Sequence, residues 1–166
     1  MIMPVQGRRP RARIIGAACG LAFVAACAAA YAQSGPFAML GGAWAGTGTI
    51  KLTEGGSERI RCKATYDLVS GSSVRLNLTC ASDSYKFVLL GSMDANGSAV
   101  TGNWTEQIRN VAGAVSGSVS GNHISVKTSG ALNATLSLTA SGGTQSILLK
   151  SEGTSIQQMS ISMKRT

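Results

Sequence analysis

The sequence predicts an all-β domain behind a signal peptide: an antiparallel up-and-down barrel of about 8–10 strands with one cross-strand disulfide. Three observations point there. Apolar residues recur with a two-residue period in nine or ten short runs, turn signals rich in Gly, Ser and Asn separate those runs at regular spacing, and beyond residue 32 no segment shows a helical period. Linkers short enough for hairpins make a continuous up-and-down order the simplest topology. A chain of hairpins must also protect its edges, and closure into a barrel removes them.

The chain opens with Arg8, Arg9, Arg11 and Arg13 ahead of the apolar run IIGAACGLAFVAACAAA, the pattern of a signal peptide over residues 1–32. Ala30-Tyr31-Ala32 is a small-x-small site that would release a chain beginning at Gln33. Val24-Ala25-Ala26-Cys27 offers a second reading as a lipobox, in which Cys27 is lipidated and the protein becomes an outer-membrane lipoprotein. Removing 32 of 166 residues leaves 134, enough for one domain with a real core. It also removes four arginines, so the net charge falls from +8 to +4, a weak argument for a nucleic-acid partner. Of four cysteines, Cys62 and Cys80 remain, and an even pair in an oxidising compartment reads as a disulfide.

Residues 33–40 are expected as a flexible arm ahead of a single barrel domain, 41–166. Trp44, Gly46, Gly48, Ile50 and Leu52 share one face of the first strand, ended by Glu54-Gly55-Gly56-Ser57. Ile60, Cys62, Ala64, Tyr66 and Leu68 alternate with polar residues in the second. Val74, Leu76, Leu78 and Cys80 do so in the third. Folding these two runs about Gly71 makes opposed residue numbers sum to 142, which sets Cys62 against Cys80, Asp67 against Arg75 and Arg59 against Asp83. Tyr85, Phe87 and Leu89 open the next strand, closed by the turn signal Asp94-Ala95-Asn96-Gly97. Val100, Gly102 and Trp104 return, then Val111 to Val119 alternate before Gly121-Asn122. Ile124 and Val126, Leu132 to Leu138, Ile147 and Leu149, and Met159 to Met163 complete the count. Glycines 46, 48, 102, 113 and 117 inside strands would weaken them unless a sharp bend or a close approach is needed, as at barrel corners.

Gly42-Ala43-Trp44 and the late Arg165 resemble the calycin arrangement of lipocalins and avidins, in which an early Gly-x-Trp packs at the closed end of the barrel beneath an arginine. That resemblance implies Trp44 and Arg165 as a barrel-closing pair. Gly-x-Trp together with a disulfide joining early strands is also similar to the bacterial metalloprotease inhibitors of the Inh type, exported eight-stranded barrels that act through an N-terminal arm.

Catalytic chemistry finds no constellation. His123 is the single histidine and is expected at a turn, there is no Gly-x-Ser-x-Gly elbow, and the glycine-rich stretch 112–121 lacks the Gly-Lys-Ser/Thr ending of a phosphate loop. Two cysteines and one histidine fall short of a zinc site. Glu106 and Arg109 form an unassigned acid–base pair near Trp104, which a local salt bridge explains more simply than catalysis. The expectation is therefore a non-enzyme without metal or cofactor, periplasmic or secreted. It would bind a small apolar ligand or an envelope partner, and touch a membrane only if lipidated at Cys27. Trp44, Tyr85, Phe87 and Trp104 are the candidate ligand contacts, with core packing the simpler role for the two tryptophans. Arg59, Arg61 and Lys63 form an outward basic stripe, either a solvated face or a contact for anionic lipid or polysaccharide. An Inh-like inhibitor or an anchored interaction protein is the alternative. A lipid-facing barrel would need aromatic girdles that the chain's aromatic content of 5% does not supply.

Overall fold

The computed structural model describes residues 34–166, which form ten antiparallel strands. The expected signal peptide and Cys27 lie outside the described residues. The strands are β1 Gly42–Leu52, β2 Ser57–Leu68, β3 Ser73–Ala81, β4 Lys86–Asn96, β5 Ala99–Glu106, β6 Val111–Ser120, β7 His123–Gly130, β8 Ala134–Ser141, β9 Thr144–Ser151 and β10 Ile156–Arg165. Each pairs with its neighbours in sequence, and β1 pairs with β10 to close the barrel. Among the described residues there is no helix.

The alternation seen in the sequence becomes inside and outside. In β2, Ile60, Cys62, Ala64 and Tyr66 are buried while Arg59, Arg61, Lys63, Thr65 and Asp67 are exposed. A polar exterior around an apolar interior is the reverse of a lipid-facing barrel. The β2–β3 ladder has the register expected from the sequence: Cys62 opposite Cys80, Ala64 opposite Leu78, Tyr66 opposite Leu76 and Leu68 opposite Val74. Cys62 and Cys80 form a disulfide with Cα atoms 4.1 Å apart. Closing a loop of this size removes roughly 3 kcal/mol of unfolded-state freedom in the chain-entropy picture.

Two expected polar contacts differ. Asp67 does lie opposite Arg75, yet the pair makes no salt bridge. Arg59 and Asp83 are not opposed, because the ladder ends at Arg61–Ala81 and Asp83 belongs to the following loop. The acid that ties that loop down is Glu58, which accepts from the Ser82 hydroxyl at 2.8 Å and the Ser84 amide at 3.3 Å. The Ser84 and Ser82 side chains first, and the Ser84 amide after them, hold its pKa below the usual value against a smaller opposing effect of burial. The turn expected at Asp94–Gly97 is also shorter: β4 runs on to Asn96, and Gly97-Ser98 alone makes the turn, with Gly97 at φ 61°.

The two ends of the barrel are built differently. At one, Gly97-Ser98, Gly121-Asn122 and Gly142-Gly143 are two-residue turns, and residues 35–40 fold across as consecutive turns, with Ala38 N–H donating to Gly35 O and Leu40 N–H to Phe37 O. Phe37 and Leu40 are 0% exposed. The expected flexible arm is thus a packed plug through residue 40, because the Phe37 and Leu40 side chains are worth more buried than in water, roughly 1.5–3 kcal/mol each. The other end carries the longer loops 53–56, 82–85, 107–110, 131–133 and 152–155 and has no such plug among the described residues.

Candidate functional site: the open end and the lumen

Eight strands give an interior that side chains just fill, and diameter grows with strand number. Ten strands therefore enclose a wider interior than eight. Consistent with this, inward-facing Phe87, Leu132, Leu136, Ile156 and Met159 near the unplugged end, with Tyr85 beside them in its loop, pack on the core yet stay only half-buried. Half-buried apolar side chains also occur elsewhere on the inner wall, but at this end no plug among the described residues lies over them.

The 107–110 side of the rim is held by one acid. Glu106, the last residue of β5, is 6% exposed and accepts from the backbone N–H of Val88 at 3.0 Å, Ile108 at 3.2 Å and Arg109 at 2.9 Å. It also makes a salt bridge of 3.3 Å to Arg109. Burial acts to raise its pKa, but the three amides and the guanidinium outweigh burial and hold the carboxyl below the usual range. The charge is thus permanent near neutrality, unsuited to a general acid, and its work is to fold the 107–110 loop so that Arg109 sits 5.0 Å over the Phe87 ring. Phe87 in turn stacks on Tyr85, with centroids 6.1 Å apart.

Trp104 lies deeper on the same inner wall. Its partners in the ladder are Gly91 of β4 and Gly113 of β6. The indole leans over Gly113, where an added Cβ would stand 2.7 Å from Nε1. Trp104 is 5% exposed, and its N–H has no hydrogen-bond partner, alone among the buried side-chain polar atoms of the described residues. A second buried polar pair lies toward the plug: Gln145 Nε2 donates to the Tyr66 hydroxyl at 3.1 Å, and burial pushes that phenol up to about 12, so it stays neutral.

The four candidate ligand contacts thus divide. Tyr85, Phe87 and Trp104 belong to the rim and the lumen. Trp44 belongs to the plugged end, where its N–H donates to Leu40 O at 2.6 Å and its ring lies 4.5 Å beneath the Arg165 guanidinium. Arg165 also donates to Gly41 O and, at 2.8 Å, to Met39 O, so the pair ties the plug to both end strands. Arg59, Arg61 and Lys63 point outward. The first two line an outer cleft of about 420 Å³ shared with Glu58 and Asp83, which offset their charge. A second outer cleft, about 590 Å³, lies across β8, β9, β10 and β1 and is lined mainly by Ser, Thr and Ala. His123 opens β7, exposed, with Nδ1 3.0 Å from the Thr139 hydroxyl. Sequence reasoning missed the Tyr66–Gln145 pair, whose strands are far apart in the chain, and the three backbone donors of Glu106, which only the β4–β5 ladder and the folded 107–110 loop bring to its carboxylate.

No family model and no curated protein matches this chain. Among solved structures it is similar to Rv2717c from M. tuberculosis at 14% identity, covering 77% of this chain and 93% of that one with a TM-score of 0.57. A redesigned β-barrel, mFAP1, bound to DFHBI, matches at 9% identity over 76% and 95% of the two chains with a TM-score of 0.47. What the likeness to Rv2717c shows is the fold, a closed antiparallel barrel, here of ten strands. Ten strands is two more than the eight of lipocalin barrels and of the Inh-type inhibitors, so the calycin resemblance holds at the level of a closed up-and-down barrel.

Proposed function

We propose that this protein is an exported, non-enzymatic barrel that takes a small, largely apolar ligand into its lumen through one end. The observation that carries this reading is the asymmetry of the barrel. One end is sealed by Phe37 and Leu40, both 0% exposed, whereas at the other the inward apolar side chains stay half-buried behind a rim of Tyr85, Phe87 and Arg109. Concave, mainly apolar sites with few polar groups are the usual form of small-molecule sites. Export is supported by the leader pattern of residues 1–32 and by a disulfide that an oxidising compartment would preserve. The inhibitor reading is weaker, because an arm free to enter a protease cleft would first have to withdraw Phe37 and Leu40 from the core.

Native mass analysis of the protein recovered from its own cell envelope tests the proposal. The expected result is a chain beginning at Gln33, two hydrogens light, carrying an additional non-covalent mass that organic extraction removes. A chain that never carries a small molecule, with a crystal structure whose lumen is filled by side chains, would overturn it.

A further inference from the structure

Trp104 holds the one buried side-chain donor among the described residues that the protein leaves unused. Such a donor normally has a partner, and leaving it without one costs about 1–3 kcal/mol. The wall around it offers none. Its neighbours in the ladder, Gly91 and Gly113, have no side chains, and their strands' backbone groups are paired in the ladder. The nearest inward acid, Glu106, is already bonded to three amides and Arg109. A lone water is a poor substitute, because a buried water needs two to four polar partners and this stretch of wall supplies one.

We propose that Trp104 Nε1 is the anchoring donor of the lumen, and that the ligand is an uncharged, mostly apolar molecule carrying a carbonyl-type acceptor. This rests on the reading of the lumen as a ligand site and narrows its chemistry. The acceptor answers the unused N–H. The apolar body answers the surface beside it: at Gly91 an added Cβ would find its nearest atoms at 3.7 and 3.8 Å, so no clash demands a glycine, and half-buried Leu76, Leu78, Leu89 and Met93 surround that gap. The ligand's lack of charge follows from the inner wall of the described strands, where the one inward-register cation, Arg165, is engaged at the plugged end with Trp44, Gly41 O and Met39 O and none stands beside Trp104 to neutralise an anion.

The test uses a matched pair of probes, 2-acetylnaphthalene and 2-ethylnaphthalene, which share a shape and differ by one carbonyl oxygen. Binding to the exported protein is followed by fluorescence and by the indole N–H signals in nitrogen-15 NMR. A neutral hydrogen bond worth about 0.5–1.5 kcal/mol predicts that the ketone binds roughly two- to tenfold tighter. The Trp104 indole proton should shift with the ketone and not with the hydrocarbon, while the Trp44 signal stays in place. Trp104→Phe should bind both probes equally. Equal binding by the unmodified protein with an unmoved Trp104 signal would overturn this inference and leave the lumen site standing, as would a ketone preference that survives Trp104→Phe. Binding of neither probe would count against the lumen site and the inference together. The indole signal is read without any variant, so a Trp104→Phe protein that failed to fold would not blunt the test.

Discussion

At the scale of single residues, Glu106 is the side chain whose removal has the most informative consequences. Its carboxylate gathers four donors from β4, the 107–110 loop and Arg109, and hydrogen bonds to a charged group contribute more than neutral ones. Glu106→Gln keeps the size but turns an amide nitrogen toward those donors. A loss of about 1.5–3 kcal/mol near neutral pH is expected, read by urea unfolding. The pH dependence has a definite sign. Because the folded carboxyl is held below its usual value, its contribution is fully present above the usual carboxylate range and is lost as pH falls through the lowered one. The gap between the two proteins should therefore close on acidification. Unfolding curves separated equally at pH 7 and pH 3 would show that the carboxylate's charge contributes nothing. The sequence announced only part of this role: the salt bridge to Arg109 was expected from their spacing, but the three backbone donors are placed only by the fold.

At the scale of strands, glycines decide where neighbouring backbones approach closely and where a side chain could still be added. At Gly46, Gly48, Gly102, Gly113 and Gly117 a Cβ would run into the carbonyl oxygen of the adjoining strand, which is the close approach that the glycine-rich strand patterns suggested. Gly91 differs, for a methyl group there meets only ordinary contacts. Gly113→Ala should thus cost about 1–3 kcal/mol, the usual range for overpacking a closed interior, while Gly91→Ala should change stability little and instead narrow the space beside Trp104. Thermal unfolding of the two variants separates the cases, and equal losses would refute the distinction. The strands themselves were largely legible. Strict alternation set Ile60, Cys62, Ala64 and Tyr66 inside, and one choice of hairpin centre placed every β2–β3 pair from Arg61–Ala81 to Leu68–Val74, though it carried the ladder too far, to Arg59–Asp83. What alternation could not reveal is whether inward residues fill the interior, because Gly91 and Gly113 carry the same period. Their different surroundings come from strands that pattern alone does not bring together.

At the scale of the whole molecule, the two ends of the barrel differ, and the two phenylalanines of the described residues do opposite things. Phe37 belongs to a segment too short to show a period, so its place in the core was hidden in the sequence, yet it is fully buried beside Leu40 where the plug meets Trp44 and Arg165. Phe87 shows the strand period plainly, yet lies half-buried at the rim between Tyr85 and Arg109. Phe37→Ala removes a wholly buried ring and leaves a cavity, a change that costs about 3–5 kcal/mol. Against a total stability of about 5–15 kcal/mol, that is a large fraction. Phe87→Ala gives up less burial and an exposed cation–π contact worth about 0.5–1 kcal/mol, so most of its fold should survive. Its loss should appear in binding, since the ring forms part of the entrance. Denaturation midpoints and 2-acetylnaphthalene affinity, measured on both variants, set stability against binding. Phe37→Ala is expected to unfold at markedly lower denaturant and, while folded, to bind nearly as the unmodified protein does. Phe87→Ala is expected to keep its midpoint and bind more weakly. Two variants that lost stability and affinity in the same proportion would mean that the ends of the barrel are not functionally distinct.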